Sequence, residues 1–104
     1  MTILHTVNKS PFSSTVLQEC LTVLGSGHSL LLIEDGVYGA LSVNPQATIM
    51  SELCNRGQNE FFVLSDDLNA RGLQNDLLLK QIKPVDYDEF VQLTIQHNSV
   101  QSWY

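Results

Sequence analysis

The sequence predicts an α/β protein: a three-layer α/β/α sandwich around a mostly parallel sheet. Three observations carry that expectation. Two short runs, Leu30–Ile33 and Phe61–Leu64, are apolar throughout, the form of strands covered by helices on both faces. Stretches with helical apolar spacing separate these runs, and such alternation, joined by right-handed crossovers, builds a layered parallel sheet. The chain has 104 residues, 43% of them hydrophobic. That length fits one domain, 1–104, burying roughly 65% of its extended surface without disulfide staples.

Ile3–Val7 reads as the first strand, closed by the breaker group Asn8–Pro11. A helix follows over Ser13–Leu24, where Val16, Leu17, Cys20, Leu21 and Leu24 form one apolar face. Ser13 or Ser14 can cap it through a hydroxyl, and Gly25 and Gly27 stop it. Leu30–Ile33 is the second strand, ended by Glu34-Asp35-Gly36. Asp35–Leu41 reads as a turn leading to a short helix. Pro45 opens the next helix, to about Asn55, since proline suits a first helical turn. Its inward face uses Ile49, Met50, Leu53 and Cys54.

After a loop at Arg56–Asn59, Phe61–Leu64 is the third strand. Ser65 is expected to cap a short helix over Asp66–Arg71, with Asp67 facing the positive end of its dipole and Gly72 ending it. Leu77–Leu79 fits helix or strand equally. Gln81–Val85 is the last expected strand, at an edge because Pro84 lacks a ladder donor. Asp86–His97 is the final helix, capped by Asp86 or Asp88, with Phe90, Val91, Leu93, Thr94 and Ile95 buried. No repeat, low-complexity tract or linker interrupts the chain.

Lys plus Arg total 5 against 11 Asp plus Glu, a net charge of -6. So few cations exclude a direct grip on nucleic acid or an anionic membrane. Charged residues make up 15%, against about 25% in an average domain. Either another chain covers part of the surface, or Ser, Asn, Gln and Thr supply its polarity. Met1–Asn8 lacks a basic leader, no apolar run approaches the ~20 residues of a membrane span, and Cys20 and Cys54 form no disulfide framework. A reducing, cytoplasmic setting is expected.

Chemical motifs are sparse. Gly25-Ser-Gly27-His-Ser-Leu follows a helix and precedes a strand, the reverse of a dinucleotide loop. No arginine stands where a phosphate-type loop around Cys20 or Cys54 would need it. His5, His28 and His97 have no zinc spacing, and neither a metal nor a cofactor is called for. Cys20 lies on the apolar helix face beside Glu19, late in its helix. That placement suits a small buried hydrophobe; sulfur chemistry would need an exposed thiol of lowered pKa. Glu34–Asp35, Asp66–Asp67 and Asp86 follow strands and would share the sheet's ligand-binding edge, where a magnesium site or plain helix capping both fit. Lys9 follows the first strand on that edge and could meet an anion. Trp103–Tyr104 should pack on this core or on a partner.

The blocks Leu4-His-Thr-Val-Asn-Lys-Ser-Pro-Phe12, Leu30-Leu-Leu-Ile-Glu-Asp-Gly-Val-Tyr38, Ser65-Asp-Asp-Leu-Asn-Ala-Arg-Gly72 and Val85-Asp-Tyr-Asp-Glu-Phe-Val91 together resemble the TusB/DsrH family. They extend from the first strand to the last helix. The resemblance implies a DsrE/DsrF/DsrH-type sandwich. It also implies a subunit of a persulfide relay, joined to TusC-like and TusD-like subunits in a heterohexamer built as a dimer of trimers. A TusE-like protein would accept the sulfur, which ends as 2-thiouridine at the tRNA wobble position. The main sulfur-carrying cysteine would belong to the TusD-like subunit, while Cys20 matches the first-helix cysteine of DsrH and is the candidate persulfide site. Tyr38, Trp103 and Tyr104 are the candidate partner contacts. Two other readings stay open: a DsrH-like role in dissimilatory sulfur oxidation, and a small metal- or anion-binding domain using Asp35, Asp67, Asp86 and Lys9.

Overall fold

The apolar runs become neighbouring inner strands. The structure, a computed structural model, describes residues 2–104. In chain order it forms β1 (Ile3–Val7), α1 (Val16–Val23), β2 (Ser29–Leu32), a 3-10 segment (Glu34–Ala40), α2 (Ala47–Asn55), β3 (Glu60–Leu64), α3 (Ser65–Ala70), a 3-10 turn (Asn75–Leu77), β4 (Ile82–Val85), α4 (Tyr87–Gln96) and β5 (Ser99–Trp103). The five strands lie in the order β4-β3-β2-β1-β5, and every pairing is parallel. Carboxyl ends of all strands therefore share one edge.

Strand alternation divides the apolar side chains between two faces. Val7, Leu30, Leu32, Phe61, Val63 and Ile82 pack against Leu17, Cys20 and Leu21 of α1, Met50 of α2 and Leu68 of α3. On the opposite face Leu4, Leu31, Phe62 and Val85 meet Phe90 and Leu93 of α4. The predicted three-layer α/β class is thus the observed one, with α4 the single α-helix packed on its face.

Several elements differ from the reading of the sequence. The expected last strand has a successor. β5 was not foreseen because Ser99, Val100, Gln101 and Ser102 are all exposed, and an edge strand exposed on both faces carries no apolar alternation. α1 begins at Val16, with Thr15 in the cap position. Neither Ser13 nor Ser14 is that cap, although Ser14 Oγ accepts from the Val16 amide at 3.2 Å. α2 starts two residues beyond Pro45 because the buried Asn44 organises its entry: the Asn44 amide group donates to the carbonyls of Gly39 and Leu41, both at 2.8 Å, and its oxygen accepts from the Gln46 amide at 2.7 Å. Ile49 faces solvent instead of the core. Ser65 does not cap α3; its hydroxyl donates to the Val85 carbonyl at 2.8 Å and ties the start of α3 to the end of β4. Leu77–Leu79 resolves into the end of a 3-10 turn and a single antiparallel bridge from Leu78 to Leu41.

At α4 the expected Asp86 cap is present. Asp86 accepts from the Glu89 amide at 2.8 Å while the Glu89 carboxylate accepts from the Asp86 amide at 3.0 Å, a reciprocal capping box. The predicted burial is too wide, however. Phe90, Leu93 and Thr94 are half-buried, whereas Val91 and Ile95 are exposed.

The 3-10 segment presses against β1. A Cβ at Gly36 would stand 2.0 Å from the Val7 carbonyl oxygen, which is backbone and cannot move aside. Gly36→Ala is expected to cost about 3 kcal/mol or more, the upper end of overpacking penalties. Gly57→Ala, where only the left-handed φ of +70° resists and open space surrounds the site, should cost nearer 1 kcal/mol. Urea denaturation of both variants measures the contrast.

Candidate functional site

Cys20 is where the sequence placed it, on the core face of α1, and its relative exposure is 0%. Leu17, one turn earlier on the same face, packs so closely on the 3-10 segment that a Cβ on Gly39 would meet its Cδ2 at 2.9 Å. Burial pushes the Cys20 thiol up to about 12, because a thiolate there would lose its hydration. The thiolate is the nucleophile in sulfur exchange, so this packing holds Cys20 in its inert form. Cys54, near the end of α2, is half-buried, and burial raises its pKa too.

Of the strand-end carboxylates, Asp35, Asp67 and Asp86 are engaged in structure. Glu34 adopts a left-handed φ of +50° as the chain leaves β2, and its exposed amide donates to Asp67 Oδ2 at 2.7 Å. Arg71 donates through Nε and Nη2 to Asp35 Oδ1 at 3.0 and 2.9 Å, and through Nη1 to the Asp67 carbonyl at 3.2 Å. Asp86 caps α4, and Asp66 lies in the first turn of α3. Asp35 and Asp67 are brought together around Arg71, while Asp86 is engaged separately. Lys9 is exposed just beyond β1. No group of three or more His, Cys, Asp or Glu side chains that could hold a metal occurs among the described residues.

The three aromatic candidates have different surroundings. Tyr38 is half-buried in the 3-10 segment. Trp103 is half-buried against the α1–α2 core, and Tyr104 is 82% exposed. Trp103 is held by an arrangement that no sequence pattern announced. Its indole Nε1 donates to His5 Nδ1 at 3.0 Å, and His5 Nε2 meets His28 Nδ1 at 2.9 Å. An indole N–H only donates, so His5 Nδ1 accepts and its proton sits on Nε2, donating onward to His28. Burial, followed by the neighbouring His28, lowers the His5 pKa. His97 makes its own bridge: Nδ1 donates to the Leu93 carbonyl at 2.6 Å and Nε2 accepts from the Ser29 hydroxyl at 3.0 Å. His5 thus holds the edge strand β5 through Trp103, and His97 ties the end of α4 to β2. The one signal in sequence was a histidine at a core position of a short strand.

No helix in the described residues is long and apolar enough to cross a membrane. Comparison with known proteins agrees with the architecture. The family description "DsrH like protein" matches residues 9–100. Protein TusB of Shigella flexneri and that of Enterobacter sp. (strain 638) are each 37% identical over 101 residues, covering 97% of this chain and 100% of theirs. Protein TusB of Escherichia coli O139:H28 is 36% identical with the same coverage. Among solved structures, the YchN protein of E. coli superimposes with a TM-score of 0.81 at 18% identity, covering 98% of both chains. The MTH1491 protein of Methanobacterium thermoautotrophicum gives a TM-score of 0.69, also at 18% identity, covering 96% of this chain and 97% of its own. These two likenesses concern the fold.

Two outcomes follow from the geometry. In the isolated folded chain a thiol reagent should modify Cys54 well before Cys20, with Cys20 reacting at the rate of unfolding; mass spectrometry of timed samples reads the order. The folded-state pKa of His5 lies below its ordinary 6.5, so the unfolded chain takes up a proton first as the pH drops. The His5 contribution to stability is therefore flat above about pH 6.5 and is lost below it, by at most ~1.4 kcal/mol per pH unit. Urea midpoints at pH 7.5 and 5.5 should differ less for His5→Gln than for the parent.

Proposed function

The chain belongs to the DsrH-like family, and on that premise we propose that it is a TusB-type subunit of a sulfur relay, an accessory rather than a catalytic chain. The single observation that carries this reading is the match to TusB proteins along almost the whole chain. The core position of its one family-matched cysteine supports the accessory role. In this reading it works in the cytoplasm beside TusC-like and TusD-like subunits, as a dimer of trimers. The relay delivers sulfur through a TusE-like acceptor to the wobble uridine of tRNA.

Each transfer from one relay protein to the next is an exchange between sulfurs. An attacking thiolate forms a bond to the outer sulfur of a donor persulfide, the donor's S–S bond breaks, and the donor leaves as a thiolate. No net oxidant or reductant is consumed. Cys20 in the free chain does not meet the first requirement, a thiolate within reach. It is proposed as an acceptor only in the assembly, where a partner that displaces or loosens α1 would expose it. The principal sulfur carrier is then a partner's cysteine. The negative net charge of -6 fits a subunit that serves tRNA chemistry without gripping tRNA.

Co-expression with its two paralogous partners should give a stable hexamer on sedimentation; a monomer that ignores both overturns the assignment. Persulfide labelling should mark Cys20 in the hexamer and leave it unmarked in the free chain. Absence of label in both states, with Cys20→Ser retaining full wobble-uridine thiolation, would reduce Cys20 to packing. Cys20→Ser should in either case lower stability by about 1–3 kcal/mol, since it buries a hydroxyl in apolar surroundings.

A further inference from the structure

Where β1 and β5 end, the sheet edge holds a cavity of about 170 Å³ lined by Thr6, Asn8, Glu34, Ser102, Trp103 and Tyr104, with Ile33 at its apolar side. Asn8 lines this cavity, and its Oδ1 is buried without a hydrogen-bond partner, the one such side-chain atom among the described residues. Buried polar groups nearly always have partners, so this oxygen points to a group that joins it on binding. That group must be a donor, because an amide oxygen only accepts. That oxygen has nothing to offer an anion.

The rest of the lining has the same preference. Thr6 Oγ1 donates to Ser102 Oγ at 3.4 Å, which leaves lone pairs of both hydroxyls available to accept. Glu34 adds a carboxylate, on a backbone fixed by the Asp67 contact at 2.7 Å. Tyr104, 82% exposed, adds an aromatic residue to the lining. Lys9 is exposed and does not line the cavity. Several acceptors, one negative charge and a ring suit a planar cation with many N–H donors, which is a guanidinium group more than an ammonium. The chain's net charge of -6 favours approach of a basic segment.

We propose that this cavity receives an arginine side chain presented by another polypeptide. Neither cysteine lines it, so the site requires no sulfur chemistry and stands apart from the relay reading.

The test is a titration of the full chain with N-acetyl-argininamide at constant ionic strength. The readouts are the fluorescence of Trp103, the chain's single tryptophan, and the NMR signals of the Asn8 side-chain amide. Saturable binding with shifts at Asn8 is expected. Asn8→Leu should weaken it roughly tenfold or more, as for loss of a hydrogen bond to a charged group. Glu34→Gln should weaken it roughly threefold, and Asn8→Asp, which adds a carboxylate of the same shape, should strengthen it. Saturation by inorganic phosphate instead, or unchanged affinity in Asn8→Leu, overturns the proposal. Should Asn8→Leu fail to fold, Asn8→Asp decides: tighter binding upholds the site, and equal or weaker binding removes it.

Discussion

The carbonyl of Val7 is the point around which the carboxyl edge of the sheet is arranged. Ile33 donates its amide to that oxygen at 3.0 Å, and Gly36 passes over it with no room for a side chain. A chain leaving β2 can make both contacts only by bending at once, and Glu34 absorbs the bend in a left-handed conformation. The bend turns the Glu34 amide outward, Asp67 catches it, and Arg71 joins Asp67 to Asp35. The start of α3 is thereby fixed relative to β2. Through Leu17 and Gly39 the same segment sets the distance of α1 from the sheet. Cys20 is sealed as a by-product of that closeness.

This gives the motifs of the sequence a physical meaning. Glu34-Asp35-Gly36-Val37 and Leu68-Asn69-Ala70-Arg71-Gly72, which carry the resemblance to TusB and DsrH proteins, are the two sides of one clamp. They hold an edge of the sheet; they do not assemble a reacting centre. Residues read as candidate magnesium ligands turn out to be a cap and an ion pair with its backbone contacts.

How much was legible follows from how local each feature is. The inner strands were readable because helices cover both of their faces, and an apolar run records that directly. The Asp86 cap was readable because its partner lies three residues away. The starts of α1 and α2 were not, since Asn44 and the turn before Thr15 act through contacts that composition does not show. Val91 and Ile95 misled because helical spacing identifies a stripe and not its width, and α4 lies alone on its sheet face with only Phe90 and Leu93 packed against it. The Trp103–His5–His28 chain joins residues at opposite ends of the sequence and left no pattern at either. For Cys20 the face was plain, but its reactivity depends on the rest of the core cluster packed around it.

β1 is flanked on one side by β2 and on the other by β5, with Ile3 beside Ser99 and Val7 beside Trp103. β1 is therefore completed by a strand 96 residues further along the chain. The pairs β1–β2, β2–β3 and β3–β4 join strands close in sequence, whereas β5 must close a loop over the three strands between β1 and itself. Loop closure of that length raises the entropic barrier only logarithmically, but contacts so distant in sequence form late in folding. By that ordering the β1–β5 flank, with Trp103 docked on His5, is the last part of the sheet to be completed.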